Sequence, residues 1–200
     1  MLTCFDASRG EVTVVPQAPL RLYARLLGSS WLELAESVRL AHSAESALCG
    51  RLRIAHGRGR IARVLAALLR LPRPSRAAQT RLVVESCGDT ERWLRTFAGR
   101  RLDTRQYQTG DGELGERIGI LEFRFRLQAS DGSLVFRQRE AAFVLGSVRL
   151  RLPAGWAPKI EAREDPAGAH QIGVHVRVLI PAFGPLLTYD GTITVEDNQG

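Results

Sequence analysis

The segment that most constrains the fold runs from Leu121 to Leu127, where apolar and charged residues alternate strictly. Phe123 and Phe125 share one side of this run with its two leucines, whereas Glu122 and Arg124 fall on the other side. A repeat of two is the repeat of a β-strand with one buried face and one face in water. We therefore predict a strand here, with both phenylalanines in a core.

Similar runs, separated by turn residues, continue from Gln79 to the C-terminal end. The Asp131-Gly132 turn predicts a hairpin between the first strand and a second strand at Leu134–Arg139. Further strands are predicted at Arg81–Ser86, Arg92–Phe97, Leu102–Tyr107, Val148–Leu152, Lys159–Glu164, Ile172–Ile180 and Leu186–Val195. The fold class is therefore α+β and mainly β, an antiparallel β-barrel or strongly curved sheet, because closure removes exposed strand edges.

Helical spacing is confined to the region before Gln79. The spacing of leucines after Leu20 predicts a short helix that ends at Gly28, followed by a second helix reaching His42, so that the two form an N-terminal helical hairpin. A strand at Leu48–Ala55 comes next. The apolar face of Ile61–Leu71 then predicts a helix that covers one face or opening of the barrel.

Length and composition indicate one folded domain. An apolar fraction of 44% over 200 residues supports a substantial core. Residues 1–19, which contain Pro16 and Pro19, are predicted to form an extended lead-in, and residues 20–197 a single domain. No run approaches the roughly 18 apolar residues of a membrane span, and the start lacks a secretory signal, so we expect a cytoplasmic protein with reduced cysteines.

The net charge of +7 raises the question of a nucleic-acid partner. Only Lys159 among the 28 basic residues is lysine, and the arginines are spread along the chain. This pattern is typical of a GC-rich coding sequence and argues against nucleic acid as the partner.

No catalytic, cofactor or metal motif is present, since HxH, HExxH, CxxC and GxSxG are all absent. His42 is predicted to end a helix and interact with its dipole. The carboxylates Glu161, Glu164 and Asp165 are predicted to be solvated turn residues. We therefore expect no catalytic, cofactor or metal site.

Arginines provide the candidates for ligand binding. Those of the GRGR loop, at the start of a predicted helix, can meet an anionic head group. Strand arginines can pair with a carboxylate or phosphate if they point into a barrel; if they point outward, they keep the surface soluble. The candidate ligand-binding residues are Arg58, Arg60, Arg124, Arg126, Arg137, His175 and Arg177.

Five segments resemble the bacterial family called domain of unknown function 4166. They are RLYARLLGSSW (21–31), GRLRIAHGRGRIARVLAALLRLP (50–72), ERWLRTFAGRRL (91–102), GWAPKIEARE (155–164) and GPLLTYDGTI (184–193). The resemblance covers about residues 20–197 and implies no chemistry. Members of such families also occur behind dinucleotide-binding reductase domains, which makes a reductase a candidate partner, although this chain has no GxGxxG motif of its own.

Three functions remain. The first is a non-enzymatic module that binds a hydrophobic or amphiphilic small molecule, with peripheral membrane contact through the helix of residues 61–71. The second is a protein-interaction domain that docks on a partner such as a reductase, through the segment around Tyr23 and Trp31. The third is an enzyme of unfamiliar type, which requires a pocket where some of Glu161, Tyr189, Asp190 and His175 converge.

Overall fold

The computed structural model describes residues 21–43, 47–68 and 71–196, so the predicted lead-in of residues 1–19 lies outside the described part. The helices are α1 (Leu22–Leu27), a 3₁₀ helix (Gly28–Glu33), α2 (Glu36–Ser43) and α3 (Arg60–Leu68). The strands are β1 (Ala47–His56), β2 (Ser75–Cys87), β3 (Thr90–Phe97), β4 (Arg100–Gln108), β5 (Leu114–Ile118), β6 (Leu121–Ser130), β7 (Ser133–Leu145), β8 (Val148–Arg151), β9 (Lys159–Pro166), β10 (Gln171–Ile180) and β11 (Gly184–Glu196).

Ten of these strands close into an antiparallel barrel, which confirms the predicted fold class. Strands β1 to β7 follow one another around the wall, β7 pairs with β9, and β11 returns to pair with β1. The remaining strand, β8, pairs with the last residues of β7 and extends the sheet beyond the ring. Closure gives each of the ten ring strands a neighbouring strand on both sides.

Glycines allow the sheet to curve where β1 meets β11. Leu52 pairs with Gly191, and Gly50 pairs with Ile193. A Cβ atom on Gly50 would lie 2.2 Å from the carbonyl oxygen of Thr192, so only glycine permits this approach of the two backbones. The two backbones therefore approach closely at the seam where the first and last strands of the barrel meet.

The interior is built by the predicted alternation. The exposed fractions of Phe123 and Phe125 are 3% and 2%, which confirms that this side of β6 faces the core. Across from them β7 contains one extra residue, because Arg124 pairs with Glu140 whereas Phe125 pairs with Gln138. This bulge at Arg139 bends β7, as bulges do in barrels.

Helices cover one end of the barrel, which we call the helical end. There the backbone N–H of Ala35 donates to the carbonyl of Gly132, in the β6–β7 turn, at 2.8 Å. Arg25, in α1, lies 3.6 Å from the carboxylate of Asp89, in the β2–β3 turn. Helices α1 and α2 thus rest on turns that join strands at the same end.

The opposite end, which we call the open end, is formed by residues 57–68, 71–74, 98–101, 117–121, 143–159 and 181–185. Helix α3 lies here, with Ala62 and Ala66 packed against Ile180 and Leu186. It begins at Arg60 and ends at Leu68, and the rest of the predicted helix includes residues 69–70, outside the described part. No helix in the described ranges is long and apolar enough to cross a membrane.

Two details differ from the sequence prediction. The second helix is split, because Leu34 is extended and forms a parallel bridge with Gly132, which separates the 3₁₀ turn from α2. Strand β5 was not predicted, because the inward Glu116 interrupts the apolar alternation of Leu114 and Ile118.

Candidate functional site

The barrel is hollow and encloses a cavity of about 440 Å³. This volume lies within the range of pockets that hold small organic ligands. Most of its lining is apolar and comes from eight or more strands, including Leu52, Leu82, Phe97, Leu102, Phe123, Phe136, Val174, Val176, Val178 and Leu187. The cavity is therefore the main concave site in the interior.

An ion pair is embedded in this apolar wall. The guanidinium Nη1 of Arg95 donates to Glu116 Oε1 at 3.1 Å and to Thr104 Oγ1 at 2.8 Å. The exposed fractions of the Arg95 and Glu116 side chains are 16% and 13%, and the guanidinium lies 5.0 Å from the centroid of the Trp93 ring. Because each charge has a partner, the pair can remain in a largely desolvated interior.

A second polar group closes the helical end of the cavity. Tyr23, fully buried in α1, donates its hydroxyl to Gln106 Oε1 at 2.8 Å. Its ring stacks on that of His42, with centroids 3.9 Å apart, and His42 Nε2 lies 2.5 Å from Glu164 Oε2. Helices α1 and α2 thus form a polar floor through specific contacts with β4 and β9.

Tyr189 adds a hydroxyl group to the cavity lining. Its ring packs near that of Phe97, with centroids 5.6 Å apart, and burial raises its pKa to about 12. Within the described ranges no group lies within hydrogen-bonding distance of its oxygen. The hydroxyl stays protonated at neutral pH and is able to bond a ligand.

The mouth of the cavity is apolar and lies at the open end. Leu71, which follows α3, and Ile120, in the β5–β6 turn, line it together with Pro158, which precedes β9. Ile120 is 55% exposed. The polar groups of the cavity therefore lie towards its middle and floor, and the entrance is surrounded by apolar side chains.

None of the seven candidate ligand-binding residues is among the side chains that line this cavity. Arg58 and Arg60 are exposed beside α3. On the outer face of β6, Arg124 lies 3.3 Å from Glu122 and Arg126 lies 3.8 Å from Glu113. The two arginines of β6 therefore point outward, which is the alternative in which strand arginines keep the surface soluble.

The other three candidates come together on the outer wall. Arg137, His175 and Arg177 border a shallow groove of about 1170 Å³ across β7, β9, β10 and β11. Arg177 lies 3.8 Å from Glu161 there, and Arg137 bonds Gln128. Ligand binding by these residues stays a prediction, at a site separate from the interior cavity.

Three other sequence-based expectations concern the helical end. His42 lies in the last turn of α2, as predicted, and it is buried and paired with Glu164. Glu164 is accordingly a floor residue rather than a solvated turn residue. Tyr23 is fully buried and cannot provide a docking surface, so only Trp31 of that pair keeps an accessible side chain.

Three of the four residues proposed for an unfamiliar enzyme lie along one groove. Glu161, His175 and Asp190 border the outer groove, whereas the side chain of Tyr189 lies inside the barrel. The sheet therefore separates the phenol from the carboxylates and the imidazole. The enzyme hypothesis therefore keeps two carboxylates and an imidazole in the outer groove, without the phenol, and stays a prediction.

Sequence reasoning missed the interior ion pair. Arg95 was not singled out among the many arginines, yet it lies on the same side of β3 as Trp93 and Phe97, which are both buried. This spacing of two residues was the feature of the sequence that could have placed Arg95 in the interior. Its partner Glu116 could not be identified, because β5 itself was not predicted.

The fold and the cavity define the class of protein as a hollow antiparallel β-barrel with a helical floor and an apolar mouth. The chain belongs to the family described as domain of unknown function 4166, which matches residues 34–193. This match confirms the resemblance seen in the sequence. No curated protein and no solved structure matches the chain significantly.

Proposed function

We propose that this protein is a non-enzymatic module that holds one hydrophobic or amphiphilic small molecule inside the barrel. The observation that carries the proposal is the cavity of about 440 Å³ with its mostly apolar lining. An apolar cavity of this size is rare in proteins, whose interiors are normally packed as densely as organic crystals. A ligand that fills it would recover the dispersion contacts that the lining side chains lack.

The distribution of polar groups favours one orientation of the ligand. Arg95, Glu116 and Tyr189 supply hydrogen-bonding atoms in the interior, whereas Leu71 and Ile120 line the entrance. A buried polar group must be bonded to avoid a desolvation cost. The polar end of the ligand therefore lies deep in the barrel and its apolar part extends towards the mouth.

The same groups favour a polar end without net charge. The guanidinium of Arg95 already has Glu116 as its partner, and the carboxylate of Glu164 faces the same interior. An added carboxylate or phosphate would find no unpaired cation among the lining residues. A hydroxyl, ester or ketone can instead bond to Tyr189 without disturbing the ion pair.

The proposal includes a cytoplasmic location. Cys49 is half-buried and Cys87 is exposed, and both are free thiols. Exposed free thiols persist in reducing compartments.

A cavity-filling variant tests the proposal. Ala162 lines the cavity on β9, so Ala162→Phe should occupy part of it and weaken the binding of a fluorescent long-chain alcohol by about tenfold or more, while Ala77→Phe, on an exposed position of β2, should leave binding unchanged. Thermal unfolding of both variants checks that they fold. Equal affinity of a folded Ala162→Phe and the unsubstituted protein would place the ligand outside the barrel and overturn the proposal.

A further inference from the structure

Exposed apolar side chains are concentrated at the open end of the barrel. Nine large apolar side chains are exposed in the described residues, and eight of them lie at this end. They include Val64 on α3, Ile120 beside the mouth, Leu145 and Val148 on the β7–β8 hairpin, and Trp156 in the loop before β9, which are 55% to 74% exposed. An apolar rim of this kind marks a surface that another body covers.

The charge at the same end has one sign. The described segments that build it contain no Asp or Glu, although Asp and Glu number 21 in the chain. Basic residues are frequent there, and Arg58, Arg60, Arg63, Arg73 and Lys159 are all exposed. No described carboxylate lies within ion-pairing distance of Arg58, Arg60 or Arg63.

The helical end has the opposite character. Its turns contain Asp89, Asp111 and Asp131, and one exposed large apolar side chain, Leu32, lies there among the described residues. The molecule is therefore polarised along the barrel axis. One end combines exposed apolar groups with positive charge and surrounds the mouth of the cavity, and the other carries acidic turns.

We infer that the open end docks on the surface of an anionic lipid bilayer, so that the mouth of the cavity faces the membrane. Helix α3 presents Arg60, Arg63 and Val64 outward together, the combination found in helices that lie in the membrane interface. Trp156 adds a side chain that favours the interface, where its ring is apolar and its N–H is solvated. The inference rests on the proposed function in one respect, since it gives the ligand a membrane source.

Charge and apolarity together distinguish this occupant from others. A nucleic acid would be held by the arginines alone and would leave Leu145, Val148 and Trp156 in water. A bilayer with anionic lipids can contact both the arginines and the apolar side chains, because its head groups attract the arginines while the apolar side chains enter the interface. It also gives an apolar ligand a route to the mouth that avoids bulk water.

Binding to vesicles tests the inference. The full chain is mixed with vesicles of phosphatidylcholine alone or of phosphatidylcholine with phosphatidylglycerol, and the bound fraction is measured by flotation. We expect binding to the anionic vesicles, decreasing with added salt, and a blue shift of tryptophan emission on binding. Arg60→Gln with Arg63→Gln should lower the partition coefficient by about 25-fold, since each basic residue contributes about fivefold.

The matched control is Arg81→Gln with Arg105→Gln, which removes two exposed arginines from the barrel wall away from the open end. It should bind vesicles as the unsubstituted protein does. Absence of binding to anionic vesicles, or equal loss in both double variants, would overturn the inference. Stronger binding to an oligonucleotide than to anionic vesicles would also overturn it, in favour of a nucleic-acid surface.

Failure of the proposed function is measured separately. Binding of the fluorescent alcohol is assayed without vesicles, where Arg60→Gln with Arg63→Gln should keep full affinity. Vesicle binding without alcohol binding would support the membrane-docking inference and overturn the proposed function. Alcohol binding without vesicle binding would support the proposed function and overturn the membrane-docking inference.

Discussion

The ring of Tyr107 lies directly over the backbone of Gly115, its partner across β4 and β5. A Cβ atom on Gly115 would come within 2.7 Å of the Tyr107 ring. The phenol hydroxyl continues across the wall and donates to Glu122, in β6. One aromatic side chain thus connects three strands on the outer face, and it does so because the middle strand has no side chain at this point.

Gly115→Ala should therefore destabilise the barrel. The added methyl group must displace the Tyr107 ring, and overpacking of this kind costs about 1–3 kcal/mol. The free energy of unfolding in urea measures the effect. Gly155→Ala is the control, because a Cβ atom there meets open space, and an equal loss in both variants would contradict the role of Tyr107.

Tyrosine ionisation offers a test of the folded interior. Burial raises the pKa of Tyr189 to about 12; burial and the hydrogen bond to Glu122 do the same for Tyr107, and burial raises the pKa of Tyr23 well above 10. These are all three tyrosines of the chain. The native protein should show almost no tyrosinate absorbance at pH 10, near the ordinary pKa of tyrosine.

Stability should change over the same range. Between about pH 10 and about pH 12 the unfolded chain releases phenol protons that the folded chain keeps, so stability that is complete below pH 10 should fall as the pH rises. Tyr107→Phe should reduce the slope of this fall. A native titration with a midpoint near 10 would contradict the enclosure of these rings.

The buried Arg95–Glu116 pair should show strong coupling. Arg95→Met alone leaves the Glu116 carboxylate without its cation and should cost about 3 kcal/mol of unfolding free energy. Adding Glu116→Leu should restore most of this stability, because two apolar side chains replace the ion pair. A double variant as unstable as the sum of the single ones would show that the two groups do not interact.

Tyr189→Phe probes ligand recognition. Its interior lacks the phenol hydroxyl but keeps the apolar lining, so binding of a long-chain alcohol should weaken more than binding of the corresponding alkane. Competition for the fluorescent probe compares the two ligands. Equal changes for both would show that the polar end of the ligand lies elsewhere.

His42→Ala should destabilise the helical end. The imidazole holds the carboxylate of Glu164 and stacks on Tyr23, so its removal leaves a largely buried acceptor unpaired, at a cost of about 2–4 kcal/mol. Chemical denaturation measures the loss. His175→Ala, on the exposed outer wall, should change stability by less than about 0.5 kcal/mol.

The barrel itself could be predicted, because alternation along strands such as β6 depends only on local sequence and on the burial of one face. The turn of Asp131 and Gly132 was likewise visible. The break between the 3₁₀ turn and α2 could not be predicted, because it depends on a backbone bridge between Leu34 and Gly132, which are distant in sequence. Local spacing continued the helix where a tertiary contact interrupts it.

The candidate site was less predictable for a similar reason. An inward charge such as Arg95 is acceptable only beside its partner, and the pairing with Glu116 crosses from β3 to β5. The sequence shows that arginines alternate along the strands, but not which of them has a carboxylate across the wall. Deciding which strand arginines point outward and which point into the barrel therefore required the register of the whole sheet.

The pairing of β1 with β11 has a consequence for biosynthesis. As the chain leaves the ribosome, β1 can pair with β2, but its other edge waits for β11, the last strand of the barrel to be made. Nascent chains therefore carry an incomplete wall with an unprotected edge and an interior open to water, a state prone to aggregation. Cells that make this protein must shield that intermediate, or complete the ring quickly, before it meets another copy of itself.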